Sequence, residues 1–324
     1  MTKKYPEIIS LGELLVEIMR DKIDAKHGEI GAIYRGPFPS GAPAIFIDSA
    51  ARMGRPFHFS TGFIGVIGND EFGHCILEKL NNDYVDTSQI RINNKLHTGI
   101  AFNQYNSDGT RKFIFAQGAA GETSEMDIKN EYFQNIKNIH IMGSALSISK
   151  KSREACYRAV KVAQKSNPEV IVSFDPNLRP EMLDLETILT ISNHILEKTD
   201  ILFPSGEEAE LLAGVKGSEN ASQKLLEMGP KIVVLKQADK GCTIYTSDNL
   251  NGLKINSFKV IEKDPTGAGD CFGGAFIVAY LAGWKLEKTG SFANAVGALK
   301  VESFGPMPNT SFEDVISLMR NNPL

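Results

Sequence analysis

No Cys-x-x-Cys pair occurs among the four cysteines, Cys75, Cys156, Cys242 and Cys271. Scattered in this way they read as reduced, mostly buried residues of a cytosolic protein, not as a disulfide framework. The six histidines show no His-x-x-x-His or Cys/His ligand spacing, so no structural zinc is expected. There is no basic block either: 35 Lys and Arg stand against 39 Asp and Glu, a formal charge of −4, which leaves no electrostatic footprint for nucleic acid or an anionic membrane. No segment approaches the ~20 apolar residues of a membrane helix. The apolar run after Pro6 is interrupted by Gly12, Glu13 and Glu17, which makes it a first strand and not a signal peptide. No repeat, linker or low-complexity tract divides the chain. What is left, 42% hydrophobic and 23% charged over 324 residues, is an ordinary globular composition with enough length for a large core.

The most informative stretch that is present runs from Asp264 through Pro265, Thr266, Gly267, Ala268, Gly269 and Asp270 to Phe276. Upstream, residues 255–262 alternate like a strand; downstream, Phe272, Phe276, Ala279 and Tyr280 recur at helical spacing, with Gly283 placed to end the helix. Gly267-Ala268-Gly269 is therefore expected to be a turn that opens a helix. Glycines there let the backbone approach a ligand, and the N–H groups of the first turn form an anion site. Asp270 falls in that first turn. On the residues alone it either caps the helix or accepts a proton beside a bound phosphate, as phosphoryl transfer to an alcohol requires. The better-known glycine motifs fit poorly: no Lys-Ser or Lys-Thr follows the glycines, and Phe272 stands where a dinucleotide fingerprint has its third glycine.

The segment Asp264-Pro-Thr-Gly-Ala-Gly-Asp270 resembles the C-terminal signature of the ribokinase-like (PfkB) carbohydrate kinases. The resemblance covers nearly the whole chain. It implies a catalytic Asp270, an anion hole from Gly267, Ala268 and Gly269, and ATP with Mg²⁺ as cofactors, with a monovalent cation as an open addition. Asp264 is carried as a metal-side candidate, and Thr266, Gly267 and Gly269 as nucleotide-side residues.

Taken in order, Ile8–Ile18 reads as a buried strand running into a more alternating one. Glu13 is expected to face solvent, whereas the resemblance sets Glu17 against the sugar hydroxyls. Gly41 and Ala42 precede a helix that ends near Gly54, and small residues there admit a ligand close to the helix N-terminus. Ser40 and Ile45 replace a Gly and an Asn of the family pattern, which bears on the substrate and not on the reaction. The version present, Gly36 to Phe46, is similar to a subgroup of bacterial sugar kinases that includes tagatose kinases. Asp70 is expected to cap the next helix. Alternating runs flank Asn106-Ser107-Asp108-Gly109, a hairpin signal.

From residue 136 onward short apolar runs alternate with helices: 138–143, 170–175, 201–204 and 231–236. They fit parallel strands covered on both faces, with ligands beyond their C-terminal ends. Asp175-Pro-Asn-Leu-Arg179 resembles a family segment whose arginine, here Arg179, reaches the substrate or the transferring phosphate. Glu208 matches an acid linked to magnesium through water, with Ser205 in place of the usual Asn. Lys236 and Asn294 correspond to nucleotide-side positions, Asn294 on a helix beside the adenine, although close helix packing with Asn294 at the surface is the alternative.

The expected fold is α/β, a central mostly parallel sheet with helices on both faces plus a small β-sheet lid. It is a single domain over 1–324, with lid strands from about 14–39 and 97–117. The expected activity is ATP-dependent phosphorylation of the terminal primary hydroxyl of a ketohexose, tagatose or fructose, to the 6-phosphate. Family kinases for 2-keto-3-deoxygluconate tend to carry an arginine on the strand before the small pair that is Ala119-Ala120 here, and Phe115-Ala-Gln-Gly118 has none. That acid is the runner-up substrate, with Arg179 or Arg111 as its counter-charge and Phe115 as a sugar-side residue. A sugar- or nucleotide-binding regulator on a kinase fold is the alternative of another class. The expected setting is cytoplasmic, with partners limited to sugar and ATP and a homodimer through the lid edges.

Overall fold

A computed structural model describes residues 5–107 and 111–322. The strands are β1 Ile8–Glu13, β2 Leu15–Arg20, β3 Tyr34–Ser40, β4 Thr61–Gly68, β5 Val85–Asn93, β6 Gly99–Tyr105, β7 Arg111–Ala116, β8 Asn138–Met142, β9 Ile171–Asp175, β10 Ile201–Leu202, β11 Ile232–Lys236, β12 Cys242–Thr246 and β13 Asn249–Ile255. The helices are α1 Ala42–Gly54, α2 Glu71–Asn82, α3 Gly143–Ser147, α4 Lys150–Ser166, α5 Leu185–Leu196, α6 Gly206–Ala213, α7 Ser218–Leu226, α8 Ala268–Leu281, α9 Leu286–Val301 and α10 Phe312–Asn321.

Nine strands form one sheet in the order β13-β12-β11-β10-β9-β8-β1-β4-β5. From β11 to β5 all neighbours are parallel; β12 and β13 close the other edge antiparallel. Alternate residues of each strand feed opposite cores. Ile8, Phe63, Met142 and Val234 join the layer with α1, α8 and α9, while Ile9, Ile64, Ile141 and Val233 join the layer with α4, α5 and α7. A strand covered on both faces is apolar along most of its length, which is why these runs lack the alternation of a half-exposed strand. Each fully buried Ile or Phe contributes about 1.5–3 kcal/mol, so both layers are held by the sheet they share.

The chain reverses direction across the sheet at β1: β4 and β5 lie to one side, β8 to β11 to the other. That switch point opens a crevice at the strand C-termini, where open α/β sheets take ligands. A second sheet, β3-β2-β6-β7, is drawn from residues 15–40 and 99–116 and stands over that edge because β2 follows β1 after one residue, Leu14. β6 and β7 pair antiparallel; Asp108 and Gly109 of the expected hairpin turn lie outside the described residues. Asp70 caps α2, accepting from the Gly73 N–H at 2.9 Å. Gly283, at φ +77, follows α8 and stops it.

One local expectation fails. Residues 256–262 form no strand, because β13 is the sheet edge and ends at Ile255, opposite Cys242. The chain there crosses Gly241, where a Cβ would stand 2.1 Å from the Ile255 carbonyl oxygen. Past that crossing no strand of the described residues pairs with the chain, and Lys263 and Asp264 donate to the Val301 carbonyl at the end of α9.

Candidate active site

Two helices begin at the same crevice. Gly267 caps α8 at φ +78, and a Cβ there would lie 2.9 Å from the Pro306 carbonyl oxygen and 3.1 Å from Ile45. Gly41 caps α1 at φ +112, and a Cβ there would stand 2.3 Å from the Glu13 carbonyl oxygen. α1 and α8 pack closely because Gly273 and Gly274 face Phe46 and Ala50, leaving no room for a side chain at Gly274. The first i to i−4 bond of α8 runs from Cys271 to Gly267, so the N–H groups of Gly269 and Asp270 have no intrahelical acceptor. Ala268 differs from the expected anion hole: its N–H donates to the Pro265 carbonyl at 3.2 Å.

A cavity of about 470 Å³ lies between these helix starts and the small sheet. Of the sequence candidates, Glu17, Gly41, Ala42, Phe115, Arg179, Thr266, Gly267 and Asp270 line it. Ser40 and Asn103 both donate to Glu17 at 2.6 Å, one to each oxygen. Asp270 is partly open to the cavity. Burial, then the charge of Asp175, pushes its carboxyl up to about 7, against the pull of Lys236 and Arg179.

The expectation for Glu13 is overturned. Ending β1, it is 3% exposed and lines the cavity. Ser144 donates to one of its oxygens at 2.6 Å, while the other is buried without a hydrogen-bond partner. Burial pushes its carboxyl up to about 7 as well. An acid is costly inside a strand, but Glu13 stands at a strand end facing a crevice.

Lys236, Glu208 and Asp175 form a charged group beside the anion loop. The Lys236 ammonium donates to Asp175 and would lie 3.4 Å from a Cβ on Gly269. Burial disfavours its charge, but Asp175 and Glu208 outweigh that and hold its pKa up. Burial likewise works against the Glu208 carboxylate, yet the Lys236 charge and the Ser205 N–H, at 2.8 Å, keep it below its usual range. The Leu178 N–H also donates to Glu208, at 3.0 Å, so this acid fixes the loop that carries Arg179. Ser205 and Glu208 form a reciprocal capping box on α6, a Ser-x-x-Glu pattern legible in the sequence.

Ala268, Gly269, Lys236 and Glu208 do not line the cavity, and neither do Asn294 and Asp264. Asn294 is buried, not at the surface, and its amide donates at 3.1 Å to the carbonyls of both Ile255 and Asn256. The Asp264 carboxylate, carried as a metal-side candidate, is met by protein donors on both oxygens. One oxygen accepts from the Thr266 N–H and hydroxyl at 2.9 and 2.6 Å, the other from the Gly305 N–H at 2.8 Å, with the Lys300 ammonium 3.6 Å away. Among the described residues no group of three His, Cys, Asp or Glu is placed to hold a metal ion. The donors instead suit a magnesium ion carried in on phosphates, which needs one or two carboxylates and keeps its waters.

A family model for the pfkB family carbohydrate kinases matches residues 34–312. The chain belongs to that family. Among curated relatives, Fructokinase-1 of Oryza sativa subsp. japonica is 29% identical over 97% of this chain and 98% of its own length. A 5-dehydro-2-deoxygluconokinase of Clostridium beijerinckii is 30% identical, over 92% of this chain and 87% of its own. An E. coli protein described as a ribokinase II, solved with ATP and Mg²⁺, superposes with a TM-score of 0.89 at 36% identity, covering 98% of this chain and all of that one. This PfkB kinase is therefore a sugar kinase, and its ribokinase-like architecture is shown by fold and sequence together. Among the described residues no helix is long and apolar enough to cross a membrane.

Proposed function

We propose that this kinase transfers the γ-phosphoryl group of ATP to the terminal primary hydroxyl of a neutral ketohexose, tagatose or fructose, giving the 6-phosphate and ADP. The observation that carries the substrate class is the charge of the cavity wall: Glu13, Glu17, Glu181 and Asp270 face one guanidinium, Arg179. Carboxyl groups accept hydrogen bonds from sugar hydroxyls, whereas a substrate carboxylate among them is repelled.

In this reading Asp270 accepts the hydroxyl proton as the sugar oxygen bonds to the γ-phosphorus and the bond to ADP breaks. A base with a pKa near 7 matches that task. The N–H groups of Gly267, Gly269 and Asp270 stabilise the charge on the transferring oxygens, with Lys236 and Thr266 on the nucleotide side. Glu208 would hold magnesium through water, and the ion would supply neutralisation of the phosphate charge. Glu17, Gly41, Ala42 and Phe115 position the sugar under the small sheet, which acts as a lid on a single domain. That sheet exposes Phe113 and Ile114 on its edge strand β7, which supports a homodimer through the lid. The unpaired cysteines support a cytoplasmic setting.

A sugar acid such as 2-keto-3-deoxygluconate is the second reading. Arg179 favours it, since its one ion pair among the described residues, to Glu181, is as long as 3.9 Å. Comparing kcat/KM for tagatose, fructose and 2-keto-3-deoxygluconate separates the two. The neutral-ketose reading expects the ketoses to lead; a preference for the acid that is lost in Arg179→Gln reverses it.

A further inference from the structure

Lys300, in the last turn of α9, is 0% exposed and takes no part in the chemistry described above. A buried ammonium persists only where its charge and its donors are matched. Here it donates to the main-chain carbonyls of Asp264 at 2.6 Å and Ser303 at 3.2 Å, and lies 3.6 Å from the Asp264 carboxylate. It also sits where the carbonyl end of a helix favours positive charge.

These contacts join two loops that the anion site needs together. Asp264 begins the loop that ends in Gly267 to Asp270, and its oxygens hold Thr266 from one side and Gly305 from the other. The loop 302–306 in turn sets the Pro306 carbonyl against Gly267. Carbonyl and carboxylate oxygens are the ligands of hard cations; the single carboxylate here calls for one positive charge, which an ammonium on a four-carbon stem supplies covalently.

We propose that Lys300 is a positioning residue, a tethered monocation that locks the anion loop of this kinase, so that nucleotide binding and turnover need no added monovalent metal ion. The proposal rests on the kinase reading, but part of its test does not. Mg-ATP affinity, measured by calorimetry on the wild-type protein in potassium, sodium and tetramethylammonium buffers of equal ionic strength, requires no sugar. Affinity equal in all three is expected; a several-fold gain in potassium overturns the proposal. Absence of turnover with every sugar would defeat the kinase reading and leave this comparison standing.

With an accepted sugar, wild-type kcat should likewise be unchanged across the three buffers. Lys300→Met should lower kcat about 100-fold, the scale of misplaced reacting groups, with the KM for sugar within about threefold and activity partly restored by methylammonium or potassium. A kcat within twofold of wild type, or a loss that neither cation restores, overturns the proposal. Should the variant fail to fold, the wild-type cation series decides alone.

Discussion

Ser144 donates to Glu13 at 2.6 Å and thereby turns one carboxyl oxygen away, while the second Glu13 oxygen stays buried and unpartnered on the cavity wall. A buried acceptor without a donor is costly unless a ligand supplies one. On this account a substrate hydroxyl does. Glu13→Gln should raise the sugar KM by the equivalent of about 1–3 kcal/mol and leave Mg-ATP affinity unchanged. Steady-state kinetics with both substrates varied would check it, and an unaltered sugar KM would remove Glu13 from the site.

Asp270→Asn should cut kcat by at least about 10²–10⁴-fold, the contribution of a positioned general base. The same change removes a carboxylate whose ionisation the folded state resists, so the thermal midpoint at pH 8 should rise, by roughly 1–3 °C. Loss of activity with a lowered midpoint would instead indicate a structural cap.

The pH dependence follows from Asp270 and Glu13, both pushed up to about 7. A base must be ionised, so kcat/KM should fall as pH drops through about 7, not near the usual carboxyl value of about 4. The two groups interact, and the limb reports a value belonging to the pair. Stability runs the other way. Between about pH 4 and 7 the folded state holds protons that the unfolded chain has released, so this contribution is complete below that window and is lost as pH rises through it. Midpoints recorded at pH 5 and 8 should differ less in Asp270→Asn than in wild type.

Gly143 opens α3 beneath the 175–179 loop, and a Cβ there would meet the Pro176 carbonyl oxygen at 1.7 Å. Gly143→Ala must move the loop that carries Arg179. Overpacking of this kind costs about 1–3 kcal/mol, and the displacement should lower kcat/KM more than it lowers the denaturation midpoint would suggest. Urea titration alongside kinetics measures both.

The apolar runs at 138–142, 171–175 and 232–236 announced the sheet because short apolar runs alternating with helices fit strands covered on both faces, and the glycines of 267–269 announced the helix start. What stayed hidden depended on contacts distant in sequence. Glu13 looked like a surface acid until β8 brought Ser144 beside it, 131 residues away. Nothing in the sequence singles out Lys300, whose role depends on the Asp264 loop that closes over it. Residues 256–262 alternate as a strand does, but no partner strand among the described residues pairs with them. Ser205 and Glu208 could have been recognised as a capping box from their spacing alone.

The most direct test of the central claim is ADP release with Mg-ATP across tagatose, fructose, 2-keto-3-deoxygluconate and ribose, run in parallel on wild type and Asp270→Asn. The account predicts release driven by a neutral ketose and nearly abolished in a folded Asp270→Asn protein. Undiminished release in that variant would contradict it.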